Sequence, residues 1–274
     1  QPVSRLAEAA WSLVAGSGTV NCTAFTSQSG QDIFASVMLR GMNGGFYLDI
    51  GAYDGVSQSN SHFLEQQMGW NGLCVEGGRN NSRMLRKLGR RCQAVEAVIA
   101  HMDGDCLFEE FFSLGQVVNA PSRYTHPAVC RSVSSLIKEY SVPRTIDFVS
   151  LDIEGAEMLA LEGFPFHTHR MRLLAVEHNA ASNGGQHQLK LFEKLSKEGY
   201  VRLVKDHGIG KDGGGSYEDW YAHRDELPAV SVTLSGVMAV LLQEFPENRV
   251  HLPTADSPHP FLAAVSPHFA ATLS

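Results

Sequence analysis

Short apolar strands alternate with helices along this chain, and most of these strands carry an acidic residue at their ends. The apolar runs predict strands at Phe46–Ile50, Gly72–Glu76, Ala94–Ala100, Ile146–Asp152, Leu173–Glu177 and Tyr200–Lys205. Helical spacing of apolar residues predicts helices before and between them, at Gln31–Leu39, Ser59–Gln67, Asn81–Leu88, Ser134–Tyr140 and Gln188–Glu198. Alternating units of this length predict an α/β fold, with a mainly parallel sheet and helices on both of its faces.

The chain of 274 residues divides into three segments. We expect an N-terminal helix or extension at 1–26, one main domain at 27–243 and an extended tail at 244–274. The segment Val230–Leu242 has room for a last strand of the sheet. The tail is rich in Pro and His without a clear period, and it is the segment that could dock on a protein partner.

Charge and cysteine content narrow the classes of partner. The net charge is -7 and Lys and Arg form no long run, which argues against a nucleic-acid partner. The sequence contains no run of 18 apolar residues, so it predicts no membrane-spanning helix.

The five cysteines do not have the spacing of zinc ligands. We interpret Cys74 as a small core residue, and Cys92 and Cys106 could form a disulfide. A chain that starts at Gln1 is expected to be either a processed protein or a trimmed sequence; processing is compatible with the secretory pathway or an organelle, and the cytoplasm stays open.

Acidic residues stand at the ends of four predicted strands: Asp49, Glu76, Asp152 and Glu177. Ligands of an open parallel sheet sit beyond the carboxyl ends of its strands, so we expect these four side chains to line one crevice. Carboxylates accept hydrogen bonds from hydroxyls and amines and attract sulfonium-type cations, but they repel phosphates. Each acid alone could equally be a helix cap or a surface group.

The turn Asp49–Gly55 follows the first strand of the sheet. It lacks the GxGxxG spacing that places a pyrophosphate at a helix N-terminus, which argues against NAD or FAD. Gly51 would let a ligand approach the backbone, and Gly55 would relieve a tight turn. Glu76 ends the next strand, where an acid can hold the two hydroxyls of a ribose.

Several motifs together resemble the FkbM family of S-adenosylmethionine-dependent methyltransferases. They are the segments Ser27–Asp32, Phe46–Gly55, Gly69–Glu76, Phe148–Glu157, Leu161–Gly163 and Val176–Asn179. The D-x-E-G-x-E block within Phe148–Glu157 is the most specific of them, and the resemblance covers about residues 27 to 226. One departure is Gly77-Gly78-Arg79, which stands where members usually have a turn that contains Pro.

The resemblance implies a Rossmann-like class I methyltransferase fold with a seven-stranded sheet whose last strand is antiparallel. It also implies S-adenosylmethionine as cofactor and methyl transfer to a hydroxyl of a sugar, a glycan or a small metabolite. Matching positions imply cofactor contacts for eight residues. Gly51, Asp54 and Gly55 would border the methionine part, Asp49 the amino end, Glu76 the ribose, Ile99 and Ala100 the adenine, and Gln31 the open side.

A hydroxyl is a weak nucleophile, so methyl transfer benefits from a base that takes its proton. The candidates at this edge of the sheet are Asp152, Glu154 and His178, and His178 has the most suitable ordinary pKa. A His after a strand can also be structural. The same three residues could hold a divalent metal, but their spacing is not specific, and we assign no metal site.

Two other functions remain to be weighed against methyl transfer. One is a catalytically inactive subunit that keeps the fold and has a structural or interaction role in a larger assembly. It predicts little affinity for the cofactor and a tail that docks on a partner. The other is a nicotinamide-linked dehydrogenase, which the missing glycine motif disfavours.

Overall fold

The computed structural model describes residues 25–111, 114–180, 184–207 and 217–227. The helices are α1 Gln31–Met38, α2 His62–Met68, α3 Arg79–Lys87, α4 Val133–Glu139, α5 Glu157–Gly163 and α6 Gln186–Lys197, with a 3-10 turn at Arg224–Glu226. The strands are β1 Phe46–Ile50, β2 Asn71–Glu76, β3 Gln93–Glu96, β4 Val98–Ile99, β5 Gly104–Phe111, β6 Leu114–Val118, β7 Thr125–Arg131, β8 Thr145–Leu151, β9 Arg170–Glu177, β10 Tyr200–His207 and β11 Glu218–His223.

Seven strands form the central sheet in the order β10-β11-β9-β8-β1-β2-β3. Only β11 runs antiparallel to its neighbours, β9 and β10, and the other pairs are parallel. The predicted α/β fold with a mainly parallel seven-stranded sheet is therefore confirmed. The strand order reverses between β1 and β8, and a crevice opens at such a point in this class of fold.

Helices cover both faces of the sheet because neighbouring residues of a strand point to opposite sides. Tyr47 and Phe148 belong to one core, in which α1, α2 and α3 bury their apolar faces. Leu48 and Val149 belong to the second core, which α4, α5 and α6 cover. The central strands are thus apolar on both sides, as buried parallel strands are.

The seventh strand of the sheet is formed by Glu218–His223. The sequence left room for a last strand at Val230–Leu242, which lies outside the described residues. Trp220 and Tyr221 are fully buried in β11 and pack in the two cores of the sheet. The sequence did not predict β11 because Glu218 and Asp219 are acidic residues of a kind typical of loops. Their buried partners, which make a strand possible here, come from distant parts of the chain.

A second, four-stranded sheet has the order β4-β7-β5-β6 and was not predicted. The expected strand Ala94–Ala100 is in fact divided between β3 of the central sheet and β4 of the second sheet. Gly115 of β6 lies against the ring of Phe108, where a Cβ would be 2.1 Å from Cζ. This close approach lets the Phe108 ring lie flat across the neighbouring strand of the β5–β6 hairpin.

Two disulfides correct the interpretation of the cysteines. The structure pairs Cys74 with Cys92 and Cys106 with Cys130, so the possible bond between Cys92 and Cys106 is not the one that forms. Cys74 is nevertheless buried, as expected. Each disulfide joins two neighbouring strands or their ends. The register of those strands brings the cysteines together, and the spacing of the cysteines along the chain does not reveal it.

The structure leaves the domain boundaries untested, since almost all of 1–26 and the whole of 244–274 lie outside the described residues. The boundaries at 27 and 243 therefore remain predictions. Among the helices of the described ranges, none combines the length and the apolar character that a membrane crossing needs.

Candidate functional site

A cavity of about 980 Å³ lies at the carboxyl ends of β1, β2, β8 and β9. The four strand-end acids Asp49, Glu76, Asp152 and Glu177 all line it, so the predicted crevice is confirmed. Glu154 adds a fifth carboxylate, and the uncharged polar lining includes Gln28, Ser57, Gln58, Asn60, Gln116 and Asn179. No Lys, Arg or His lines the cavity within the part of the chain that the structure describes.

Gly51 forms the turn at the end of β1 and lines the cavity. Its φ is 92°, a conformation that side chains rarely adopt. A Cβ at this position would lie 1.7 Å from the backbone oxygen of Asp152. Only glycine therefore lets the β1 turn and the β8 end approach each other this closely.

Asp54 and Gly55 shape this turn but do not line the cavity. The Oδ1 atom of Asp54 accepts hydrogen bonds from the backbone N–H groups of Val56 and Ser57, at 2.9 and 2.7 Å. Gly55 has a φ of 82°, and a Cβ there would lie 2.4 Å from a methyl group of Leu85. The structure thus gives these two residues a role in the backbone and does not support a direct ligand contact.

Glu76 lines the cavity from the end of β2 and also organises the loops around it. Its carboxylate accepts hydrogen bonds from the N–H groups of Tyr53 (2.8 Å) and Gly78 (2.6 Å). The backbone therefore turns back at Gly77 and Gly78, so that the Gly78 N–H contacts the Glu76 carboxylate. Burial of this carboxyl raises its pKa to about 7.

Of the two residues expected near the adenine, Ile99 and Ala100, only one lines the cavity. Ile99 of β4 is buried and lines the cavity. Ala100 does not; it packs on Val98, Phe108 and Cys130 in a small separate core. The difference arises because the chain leaves the central sheet at this point and enters the second one.

Three carboxylates meet at the ends of β8 and β9. Asp152, Glu154 and Glu177 offer ligand oxygens that all lie within 4.8 Å of one another. Glu154 is exposed, with a φ of 55°, whereas Glu177 is buried. Burial, and the negative charge of Asp152 next, raise the pKa of the Glu177 carboxyl well above its ordinary value.

The loop that carries Asp152 and Glu154 is held by Glu157, the first residue of α5. One oxygen of Glu157 accepts hydrogen bonds from the N–H groups of Ile153 and Gly155, both at 3.0 Å. Its other oxygen lies 2.7 Å from Nε2 of His187. Glu157 therefore fixes the loop through its backbone N–H groups, whereas α5 itself has no side-chain cap hydrogen bond.

With this geometry established, comparison with known proteins decides the family. The sequence model of the Methyltransferase FkbM domain matches residues 49–202, more than half of the chain. The chain belongs to the FkbM methyltransferase family. It is an S-adenosylmethionine-dependent methyltransferase, and the family resemblance stated from the motifs is confirmed. A comparison with curated proteins found no match.

Several solved structures are similar to this chain at low sequence identity. Cofactor-bound Rv0187 from MTB is 11% identical, with a TM-score of 0.46, 82% of this chain covered and 90% of that chain. The O-methyltransferase from Bacillus cereus in complex with SAH is 10% identical, with a TM-score of 0.43 and coverage of 80% and 90%. Fibrillarin from Aeropyrum pernix with bound S-adenosyl-L-methionine is 12% identical, with a TM-score of 0.39 and coverage of 66% and 67%.

The cavity of the FkbM domain fits S-adenosylmethionine in the chemistry of its lining. The buried Oδ1 atom of Asn60 has no hydrogen-bond partner among the described residues, and Asn60 lines the cavity beside the acids. An unpaired acceptor suits an amino group, and the Glu76 carboxylate suits hydroxyls. Sequence reasoning missed Asn60 because it follows β1 at a distance in the chain and carries no local motif.

His178 is the one catalytic candidate that the structure separates from the cavity. It is 1% exposed and is absent from the cavity lining. Its Nδ1 accepts the N–H of Ala180 at 3.1 Å, and its Nε2 lies 3.3 Å from Asp219 Oδ1. The expectation that His178 is the base is corrected, since a strand points Glu177 and His178 to opposite sides.

Replacing His178 with alanine should therefore lower stability rather than turnover. The substitution removes the side-chain acceptor of the Ala180 N–H and one of several partners of the buried Asp219 carboxylate, at a cost of about 1–3 kcal/mol in the free energy of unfolding. Urea denaturation measures this loss, and the rate per folded molecule should match the wild type. A large loss of rate with unchanged stability would return His178 to the reaction.

Gln31 also lies outside the cavity lining, contrary to the contact implied by the resemblance. It is buried in α1, where its Nε2 donates to Oε2 of Glu218 at 2.9 Å and its Oε1 accepts the Ser29 N–H. Gln28, three residues earlier in the same motif, lines the cavity instead. The helix start turns Gln31 inward to pair with an acid that lies far away in the sequence.

Glu218 should make the stability of the protein fall as pH rises. Burial raises the pKa of this carboxyl from 4.5 to about 8, so folding favours its protonated form. The contribution to stability is full below pH 4.5 and is lost as pH rises through 8. Urea denaturation between pH 5 and 8 should show the wild type losing on the order of 4 kcal/mol relative to Glu218→Gln. A difference that does not change with pH would contradict this assignment.

Proposed function

We propose that this FkbM domain transfers the methyl group of S-adenosylmethionine to a hydroxyl oxygen of a neutral sugar, glycan or small metabolite. The observation that supports it is the lining of the cavity, which combines carboxylates with neutral polar side chains and offers no basic side chain in the described ranges. Such a lining accepts hydrogen bonds from hydroxyls and repels phosphate groups. The net charge of -7 points the same way.

Asp49 and Glu76 are the residues that would hold the amino end and the ribose of the cofactor, with Gly51 and Ile99 beside them. When bound, S-adenosylmethionine supplies a methyl group on a sulfonium sulfur. The acceptor oxygen forms a bond to the methyl carbon while the sulfur–carbon bond breaks, and S-adenosylhomocysteine remains. The hydroxyl proton passes to a carboxylate, for which Asp152 and Glu154 line the cavity.

The cavity promotes this reaction mainly by orienting the acceptor hydroxyl relative to the methyl group. Glu157 and the glycine turns fix the loops that carry the acids, so an acceptor that binds there loses its freedom before the methyl group moves. The acids contribute hydrogen bonds to hydroxyls on either side of the reacting one. A neutral polyol satisfies more of these acceptors than an isolated alcohol does.

Two measurements test the proposal in sequence. Thermal unfolding with S-adenosylhomocysteine, and with NAD for comparison, tests for cofactor binding; a ligand at about 100 times its Kd adds roughly 2.7 kcal/mol. Transfer from methyl-labelled S-adenosylmethionine is then compared between neutral oligosaccharides and the same sugars in phosphorylated form. We expect label on the neutral sugars only.

Each outcome has a definite meaning. Label on phosphorylated sugars alone would refute the neutral acceptor, and label on a nitrogen would refute O-methyl transfer. Binding of NAD without S-adenosylhomocysteine would favour a dehydrogenase. No stabilisation by any of these ligands would favour the inactive subunit with a structural role, and the search would turn to protein partners.

A further inference from the structure

Asp152, Glu154 and Glu177 converge from two separate elements of the fold. The first two lie on the loop after β8 and the third ends β9, yet their ligand oxygens lie within 4.8 Å of one another. All three line the cavity. Carboxylates this close repel one another strongly unless a cation or a shared proton lies between them.

Glu177 supplies a second and independent observation. The residue is 7% exposed, and its Oε2 atom has no hydrogen-bond partner among the described residues. A buried carboxylate oxygen without a donor is rare and calls for a ligand. The cavity that Glu177 lines has no basic side chain in the described ranges that could reach it.

We propose that Asp152, Glu154 and Glu177 bind a divalent cation of the Mg²⁺ or Mn²⁺ type. Oxygen ligands from carboxylates are those that these hard cations prefer. The site is also organised in advance, since Glu157 holds the loop and the Nδ2 atom of Asn179 donates to Oε2 of Glu154 at 3.4 Å. This organisation keeps the three oxygens together in the absence of the ion.

A second group of potential ligands lies nearby but is already satisfied. Asp219 accepts hydrogen bonds from Arg202, Gln188 and the backbone N–H of Asp206. His178 and Asp206 complete that group. Its oxygens have donors, so it provides a matched control for the proposed site.

The consequence for the reaction rests on the proposed function. Mg²⁺ prefers six oxygen ligands, so three carboxylates leave positions open to the acceptor. A hydroxyl bound to the ion loses its proton more readily, to a carboxylate oxygen of Asp152 or Glu154 that does not hold the ion or to solvent, and this strengthens the nucleophile for the methyl group. An acceptor with a second oxygen next to the reacting one, such as a vicinal diol, would bind through both atoms.

Titration of the cofactor-free protein with Mn²⁺, followed by the electron spin resonance signal of the free ion, tests the site. We expect one saturable site in the wild type and at least tenfold weaker binding in Glu154→Gln and Glu177→Gln. Glu154 is exposed, so its substitution should preserve the fold even if Glu177→Gln does not. Asp206→Asn should bind Mn²⁺ as the wild type does.

Two results would overturn the proposal. If the wild type removes no Mn²⁺ from solution at millimolar concentration, a proton shared between Glu177 and Asp152 replaces the ion. If Glu154→Gln and Glu177→Gln bind like the wild type, the ion lies elsewhere. Because the titration contains no cofactor, its result is independent of methyl transfer; stabilisation by S-adenosylhomocysteine, measured separately, reports on the proposed function.

Discussion

Replacement of Gly51 by alanine is expected to abolish cofactor binding and to destabilise the protein by about 3–5 kcal/mol. The new Cβ would lie 1.7 Å from the backbone oxygen of Asp152, and the φ of 92° adds strain of its own. Neither strand can move away, because β1 and β8 pair in the centre of the sheet. Thermal unfolding should show a fall in Tm on the order of 10 °C.

Gly89→Ala is the matched control for the Gly51 substitution. Gly89 also has a positive φ, 63°, but a Cβ there meets nothing within 4 Å. We expect its alanine variant to lose only about 1–2 kcal/mol and to bind S-adenosylhomocysteine normally. Equal losses in the two variants would show that backbone conformation alone, and not the approach of Asp152, makes Gly51 necessary.

Glu76→Ala is expected to weaken binding of S-adenosylhomocysteine at least 100-fold, about 2.7 kcal/mol. The substitution removes the proposed acceptor for the ribose hydroxyls and releases the N–H groups of Tyr53 and Gly78, which Glu76 holds. Isothermal titration calorimetry measures the loss. Glu76→Gln keeps the size of the side chain but offers one amide oxygen, and it should fall between the alanine variant and the wild type.

Glu96→Ala controls for the loss of a carboxylate in the same part of the sheet. Glu96 lies opposite Glu76 in the register of β2 and β3, but it is exposed and pairs with Arg86 on the surface. Its substitution should leave affinity unchanged. If Glu76→Ala binds S-adenosylhomocysteine as tightly as the wild type, the ribose assignment is wrong.

The central part of the fold was predictable because its signals are local. Phe46–Ile50 is apolar apart from Asp49, as a buried parallel strand requires, and the acids near the strand ends mark the carboxyl edge. Parallel strands must all end at that edge, so the meeting of Asp49, Glu76, Asp152 and Glu177 followed from the order of elements alone. The observed cavity contains all four.

The outer parts of the fold were not predictable because their stability comes from distant partners. Glu218 and Asp219 look like loop residues, yet they are buried in β11 with Gln31 and Arg202 as partners. The second sheet depends on pairing between β5 and β7 and on the fit of Gly115 against Phe108. Neither contact leaves a signal within a short window of sequence.

The sequence by itself determined the family, the central sheet and the edge at which the chemistry takes place. Only the tertiary structure decided which residues at that edge reach the cavity: Glu177 and Asn60 line it, whereas His178 and Gln31 turn into the core. The physical reason is that side-chain direction alternates along a strand and depends on packing at its end. The order of the elements specifies which residues reach the carboxyl edge of the sheet, but burial and hydrogen bonding specify where each of them points.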